Sequence, residues 1–138
     1  HPVVVGLNTF KTLPLKAFFG RTYLVLSGNE DMSHFKMDNV QFFQSISPLL
    51  DYIKENYSHL DETVYIAGGQ MIYNQFIENC DECIITWIDK VITFTFEDDV
   101  KMFPTLELIQ NYKCVDKGEW LTSVKGLNYK ILTYINKK

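Results

Sequence analysis

The chain has 138 residues, of which 46% are hydrophobic and 22% are charged, and its formal net charge is -4 at pH 7. These values predict one globular domain with a sizeable hydrophobic core, and the negative charge argues against nucleic acid as the main partner. No apolar run approaches the roughly 20 residues that a membrane helix needs, and no signal-peptide pattern is present, so we expect a cytoplasmic protein without a membrane segment.

The chain opens with a pattern of strand, glycine and helix. Residues 2–5 are apolar and β-branched, which predicts a buried strand. Gly6 follows, and Asn8 or Thr9 can cap a short helix that runs to about Leu13. Proline cannot continue a helix, so Pro14 is expected to end it.

Two more strands and a longer helix are predicted next. Residues 21–27 and 40–43 are rich in β-prone side chains. Ser47 followed by Pro48 resembles a cap with proline at the first helical position, so we predict a helix over residues 48–57.

The most informative stretch surrounds Gly68 and Gly69. Residues 64–67 have β-prone character, and a helical pattern from Met71 to Phe76 begins directly after the two glycines. Glycine lets a ligand approach the backbone closely, and the start of a helix has unpaired N–H groups that suit an anion such as a nucleotide phosphate. A tight turn without a ligand is the alternative.

The second half of the chain changes character. Residues 83–88 and 91–96 predict two further strands, whereas residues 112–121 and 128–136 predict an antiparallel pair around Gly126. The alternation of strands and helices predicts an α/β fold, with a mainly parallel sheet flanked by helices and C-terminal antiparallel strands.

Three turns fall at the carboxyl ends of predicted parallel strands. These are the turns at Gly6, Ser27 and Gly68, and ligands of open α/β sheets bind at such ends. The sequence therefore favours a ligand-binding edge.

Three cysteines are present, and Cys80 and Cys83 form a Cys-x-x-Cys pair. A zinc site needs two more ligands nearby, so we predict no metal site and expect unpaired thiols in a reducing compartment.

Several blocks together resemble the dihydrofolate reductase family, and the resemblance covers essentially the whole chain. The first two are Ile-Ala-Gly-Gly-Gln-Met-Ile-Tyr-Asn-Gln-Phe at residues 66–76 and Ile-Thr-Trp-Ile-Asp at residues 85–89. Order and approximate spacing also match at Gly6, Thr9, Gly20-Arg21, residues 24–27 and Phe103-Pro104.

This resemblance implies NADPH-dependent reduction of 7,8-dihydrofolate to 5,6,7,8-tetrahydrofolate in one-carbon metabolism, with antifolates as inhibitors and a monomeric enzyme. The glycine turn would lie near the nicotinamide and the pyrophosphate, and the end of the second strand would lie along the adenosine. The implied cofactor-binding residues are Gly6, Asn8, Thr9, Leu26, Ser27, Gly28, Gly68, Gly69, Gln70, Met71 and Ile72.

The resemblance also implies a set of substrate contacts. Arg21 would pair with the glutamate carboxylate of folate, because a planar guanidinium can bind a carboxylate through two parallel hydrogen bonds. Leu13 and Phe18 would contact the aminobenzoyl ring. Ala67 and Tyr73 would lie near the pterin and nicotinamide. Thr86 would support catalysis by bonding to the pterin-binding carboxylate.

Two departures from the family pattern matter. Leu7 stands where the family usually has an arginine that helps hold the 2′-phosphate, and Lys11, Lys16 or Lys36 could compensate, so the choice between NADPH and NADH stays open. The resemblance begins at the family's second strand, so the catalytic acid has no assignable residue here, and we expect an N-terminally incomplete record of the domain. The alternatives are a pteridine or pyrimidinone-type reductase of riboflavin biosynthesis and a non-catalytic nucleotide-binding domain.

Overall fold

The computed structural model describes residues 1–138 apart from the side chain of Leu15, and the chain forms two compact units, His1–Gln75 and Phe76–Lys138. The strands are β1 (Val3–Gly6), β2 (Tyr23–Leu26), β3 (Val40–Phe43), β4 (Tyr65–Ile66), β5 (Glu82–Ile88), β6 (Tyr112–Asp116), β7 (Leu121–Thr122) and β8 (Asn128–Asn136). The helices are α1 (Leu7–Lys11), α2 (Ile46–Tyr57), α3 (Gln70–Phe76) and α4 (Thr105–Asn111), with a short 3-10 helix at Leu15–Phe18. The expectation of a single domain stays a prediction.

The first unit contains a parallel four-stranded sheet in the order β3-β2-β1-β4. Val4 of β1 pairs with Leu24 of β2 on one side and with Ile66 of β4 on the other. Parallel strands are covered on both faces, which explains why β1 and β2 are almost continuously apolar. The predicted mainly parallel sheet is confirmed.

The core of the first unit lies on both faces of this sheet. Successive side chains of a strand point to opposite faces, so Val5 and Val25 lie on one face, where the aromatic ring of Phe10 packs in the same cluster. Val4 and Leu24 point to the other face and are fully buried, as is Leu49 of α2. The two faces together hold the strand ends in fixed positions.

The second unit contains an antiparallel sheet in the order β5-β8-β6, with β7 also paired to β8. The predicted antiparallel pairing of the C-terminal strands is confirmed. The alternation of elements had placed β5 among the parallel strands, and this was wrong, because Glu82–Ile88 pairs antiparallel with β8. Local patterns reveal a strand but not its partner, which lies more than 40 residues along the chain.

Two helix starts differ from the sequence prediction. Gly6 occupies the N-cap position of α1 without a side-chain cap, so Asn8 and Thr9 lie inside the helix, which ends at Lys11 rather than Leu13. Helix α2 begins at Ile46 after Ser45 instead of at Pro48. Proline is tolerated throughout the first helical turn, because the N–H groups there have no helical partner, and its position alone does not fix the start.

Two predicted strands in the second half are wrong in whole or in part. Residues 91–96 form no strand, and their side chains are largely exposed, that of Phe96 completely. β-prone side chains form a strand only where another strand pairs with them. The ladder of β6 with β8 shifts register between Cys114 and Asp116. The predicted strand at residues 112–121 is broken after Asp116, where Asp116 Oδ1 accepts a hydrogen bond from the Gly118 N–H at 2.7 Å.

The three cysteines, Cys80, Cys83 and Cys114, are free, as predicted. Burial raises the pKa of the Cys83 thiol to about 11, with the neighbouring Cys80 as a smaller cause. A thiol with a raised pKa is mostly protonated at neutral pH and therefore a weak nucleophile. Among the described residues, no helix is long and apolar enough to cross a membrane.

A buried tyrosine gives the second unit a testable pH dependence. The Tyr112 hydroxyl lies 2.6 Å from the carbonyl oxygen of Ile77 and 2.9 Å from that of Cys80. Burial first, and Cys80 second, raise the pKa of Tyr112 from 10.0 to about 12. Between these values the folded state keeps a proton that the unfolded chain has lost, so we expect the free energy of unfolding to fall as pH rises from about 10 to about 12.

Denaturant unfolding across this pH range would measure the effect. Tyr112→Phe should make the decline shallower, since one group with a raised pKa is removed, although Tyr57 and Tyr134 also have raised pKa values. An equally steep decline in the variant would contradict the assignment to Tyr112.

Candidate functional site

The carboxyl ends of the parallel strands meet at one edge of the first unit. Gly6 ends β1, and its N–H donates to the Gly68 carbonyl at 2.9 Å. On the other side of the sheet, the Ser27 N–H donates to the Phe43 carbonyl at 2.8 Å. The turns predicted at Gly6, Ser27 and Gly68 are therefore all at the edge where ligands bind in open α/β folds.

The Gly68-Gly69 turn is the most constrained part of this edge. The peptide bond between the two glycines is cis, and Gly68 has φ +94. A Cβ added at Gly68 would lie 2.8 Å from Cζ of Tyr73. A residue with a side chain does not fit here, because it would meet the tyrosine ring in a backbone conformation that L-residues rarely adopt.

Helices α1 and α3 both begin at this edge. A Cβ at Gly6 would lie 3.1 Å from Cγ1 of Ile72, and a Cβ at Gly69 would lie 3.6 Å from the Thr9 hydroxyl oxygen. The starts of the two helices are therefore neighbours. Asn8 is exposed and Thr9 is half-buried, so both polar side chains are close to the surface of the edge.

The residues at the start of α3 differ in what they offer a ligand. Gln70 is half-buried, Met71 is 74% exposed, and Ile72 is buried at 3% exposure beneath Gly6. Ala67, just before the glycines, is exposed. Ile72 thus shapes the backbone, whereas Ala67, Gln70 and Met71 have accessible side chains.

A cavity of about 460 Å³ adjoins the end of β2, and Ser27 is part of its lining. The Ser27 hydroxyl donates to the Phe43 carbonyl at 3.3 Å, while Leu26 is half-buried and Gly28 is exposed. The lining combines polar side chains with the rings of Phe35 and Phe42, which makes this cavity suitable for a polar, aromatic ligand such as a nucleoside.

The predicted substrate residues Leu13, Phe18 and Arg21 follow α1. Leu13 is half-buried against the core, and Phe18 is buried at 6% exposure with its ring 5.1 Å from that of Phe10. Arg21 is exposed and forms no ion pair with another described residue. Its guanidinium is therefore available to an anion.

Asn39 holds this segment in place and was missed by the sequence analysis. Its Nδ2 donates to the carbonyl oxygens of Phe18 and Arg21, both at 2.6 Å. The Tyr23 hydroxyl donates to the Ala17 carbonyl at 3.0 Å and fixes the same segment from the strand side. No local signal could have revealed Asn39, because its partners lie about 20 positions earlier in the chain.

Thr86 belongs to the second unit. It lies on β5, is exposed, and pairs with Ile131 of β8. The predicted cofactor-binding residues all belong to the first unit, as do the other five substrate residues.

Comparison with known proteins identifies the family. A family model described as dihydrofolate reductase matches residues 1–136. The dihydrofolate reductase of Mycobacterium leprae is 29% identical over 136 residues, which cover 97% of this chain and 74% of that protein. The dihydrofolate reductase of Mycoplasma genitalium is 30% identical over 89 residues, covering 64% of this chain and 53% of that protein.

A third relative has a different name. Segregation and condensation protein A of Mycoplasma pneumoniae is 33% identical over 84 residues, which cover 61% of this chain but only 15% of that protein. The match is confined to a small part of its length, so its name carries no argument here. The family model covers nearly the whole chain, and the chain therefore belongs to the dihydrofolate reductase family, a family of oxidoreductases.

Proposed function

We propose that this protein reduces 7,8-dihydrofolate to 5,6,7,8-tetrahydrofolate with NADPH and so serves one-carbon metabolism. The observation that carries the proposal is the match of the dihydrofolate reductase family model to residues 1–136. The pteridine or pyrimidinone-type reductase and the non-catalytic nucleotide-binding domain are not favoured, because the family model and the first two relatives all have the name dihydrofolate reductase.

The cofactor would bind along the carboxyl edge of the parallel sheet. NADPH supplies a hydride when it is bound. Gly68 and Gly69 allow its nicotinamide half and pyrophosphate to approach the backbone, with Ala67 alongside. The hydroxyl of Thr9 and the amide of Asn8 are available to the phosphates. The cavity beside Ser27 suits the adenosine, because it combines polar groups with aromatic rings.

The remaining cofactor residues have supporting roles in this proposal. Leu26 and Gly28 flank Ser27 and form the surface beside the adenosine. Gly6 lets the backbone of β1 come close to the ligand. Gln70 and Met71 contribute accessible side chains, whereas Ile72 packs under Gly6 and holds the turn in shape.

The substrate would lie parallel to the strands and reach from their carboxyl ends to the opposite end of β2. Gly6 is hydrogen-bonded to Gly68 and paired with Leu26 at the carboxyl ends, whereas Arg21 precedes the start of β2. Five residues of extended chain span roughly 16 Å, so a ligand that contacts both ends must be long. Dihydrofolate is long, with a pterin at one end and a glutamate carboxylate at the other. Leu13 and Phe18 would line the middle, and Ala67 and Tyr73 the pterin end.

The roles of the protein are binding, orientation and exclusion of water. By the resemblance, the hydroxyl of Thr86 would donate a hydrogen bond to the pterin-binding carboxylate, for which no residue of this chain is assigned. No residue of this chain is assigned as the proton donor to the substrate, so the acid step stays unassigned.

Further proposals concern the setting of the enzyme. We propose a monomer that binds antifolates in the substrate site, does not bind nucleic acid, and works in the cytoplasm. The free thiols Cys80, Cys83 and Cys114 suit a reducing compartment. The net charge of -4 does not suit binding to a polyanion.

A steady-state assay with the full-length protein tests the proposal. NADPH should be consumed when dihydrofolate is added, an antifolate should block this consumption, and no consumption should occur with a pyrimidinone substrate of riboflavin biosynthesis. Consumption with the pyrimidinone but not with dihydrofolate would favour the rival reductase. Binding of NADPH without consumption by either substrate would favour the non-catalytic alternative.

A further inference from the structure

The cavity at the end of β2 has an acidic rim. Glu30 and Asp31 line it, together with Ser27 and Gln44, and the rings of Phe35 and Phe42 lie in the same lining. The two rings are 5.5 Å apart and nearly perpendicular. No lysine or arginine lines the cavity among the residues that the structure describes.

Each of the two acidic side chains accepts a hydrogen bond from a neighbouring group of the chain. Asp31 Oδ1 accepts a hydrogen bond from the Ser33 N–H at 2.9 Å, and this bond lowers the pKa of Asp31. Glu30 Oε1 lies 2.7 Å from Nζ of Lys11. Lys11 therefore offsets the charge of Glu30, whereas Asp31 forms no ion pair with another described residue and has His34 as a weaker electrostatic neighbour.

Leu7, the residue after Gly6, adds no positive charge near the proposed adenosine site. Leu7 begins α1 and is buried in the apolar core at 7% exposure. Thus two carboxylates line the proposed adenosine site, and Lys11, which pairs with Glu30, is not part of that lining.

The chemistry of this rim suits a free ribose better than a phosphorylated one. Carboxylates accept hydrogen bonds from ribose hydroxyl groups and repel a phosphate, and an acidic residue has this role in the NAD sites of Rossmann-type folds. The neighbouring Phe35 and Phe42 provide the apolar surface on which an adenine can pack.

We propose that Glu30 and Asp31 set the cofactor selectivity of this enzyme, so that it binds NADH about as tightly as NADPH. The inference rests on the proposed function, because it assumes that the adenosine end of the cofactor occupies this cavity. It goes beyond that function by adding the unphosphorylated dinucleotide as a cofactor.

Equilibrium titration of the full-length protein with NADPH and with NADH tests the inference. We expect dissociation constants within roughly threefold of each other, since exposed charges have modest effects on binding. The double variant Glu30→Gln/Asp31→Asn should tighten NADPH binding by roughly three- to tenfold and leave NADH binding nearly unchanged. Adenosine 2′,5′-bisphosphate and adenosine 5′-monophosphate, as probes of the adenosine site alone, should show the same pattern.

A matched control removes the same two charges elsewhere in the first unit. Asp51 and Glu55 lie exposed on α2, so Asp51→Asn/Glu55→Gln should leave the ratio of the two dissociation constants unchanged. A shift in the control equal to that in the cavity variant would overturn the assignment to Glu30 and Asp31. A wild-type preference for NADPH above roughly thirtyfold would overturn the inference while leaving the proposed function intact. If neither dinucleotide binds, the proposed function fails and the inference fails with it.

Discussion

Replacing Gly68 with alanine should lower the free energy of unfolding by about 3 kcal/mol and weaken NADPH binding more than tenfold. The new Cβ would lie 2.8 Å from Cζ of Tyr73, so the ring or the turn must move. The φ of +94 adds a backbone penalty that alanine cannot avoid. Denaturant unfolding measures the first effect, and titration of the folded variant with NADPH measures the second.

Gly126 provides the matched control for this variant. It has φ +83, and a Cβ there would meet no atom within 4 Å. Gly126→Ala should therefore show the backbone penalty alone, a loss of about 1 to 2 kcal/mol in the free energy of unfolding, without any loss of NADPH binding.

A double variant tests the clash directly. In a Tyr73→Ala background, Gly68→Ala should lower the free energy of unfolding about as little as Gly126→Ala does, because the clashing ring is gone. Equal costs for the two alanine variants in the wild-type background would contradict the proposed clash.

Arg21→Gln should weaken the binding of dihydrofolate by about 2 to 3 kcal/mol, or roughly 30- to 150-fold. Glutamine keeps hydrogen-bonding capacity but loses the charge and the planar fork that match a carboxylate. The free energy of unfolding should change by less than about 0.5 kcal/mol, because the side chain is exposed and unpaired. Equilibrium titration with dihydrofolate, alongside denaturant unfolding, measures both quantities.

Two comparisons separate a specific ion pair from a general charge effect. Lys16→Gln removes a nearby exposed cation and should leave dihydrofolate binding almost unchanged. A pterin that lacks the glutamate should bind the wild type and Arg21→Gln equally well. If the loss in Arg21→Gln also appears with that pterin, Arg21 does not contact the glutamate.

Local sequence patterns were sufficient to predict those strands and turns whose structure is determined by their own residues. The bounds of β3 and β8 were predicted correctly, because each is an apolar, β-prone run that ends at turn residues. The glycine turn before α3 was found for the same reason. Helix α4 was missed, since its seven residues form too short a pattern to detect.

Features that depend on distant residues were beyond local reasoning. The failure of residues 91–96 to form a strand reflects the lack of a pairing partner, which their composition does not encode. The role of Asn39 and the pairing of Lys11 with Glu30 join positions about 20 residues apart. In the candidate site, therefore, the glycines could be predicted from the sequence. The side chain that holds a neighbouring segment in place, Asn39, and the one that pairs with an acidic residue, Lys11, could not.

The hydrogen bond from Gly6 to the Gly68 carbonyl has an evolutionary consequence. The same turn that would receive the nicotinamide also joins β1 to β4, so a change there affects folding and ligand binding together. Substitutions at this turn that alter cofactor use would also destabilise the folded protein, so selection would remove them. It could accumulate at the exposed rim beside β2, where Glu30 and Asp31 contribute little to the core. Related enzymes should accordingly diverge in cofactor preference through rim residues while keeping the turn.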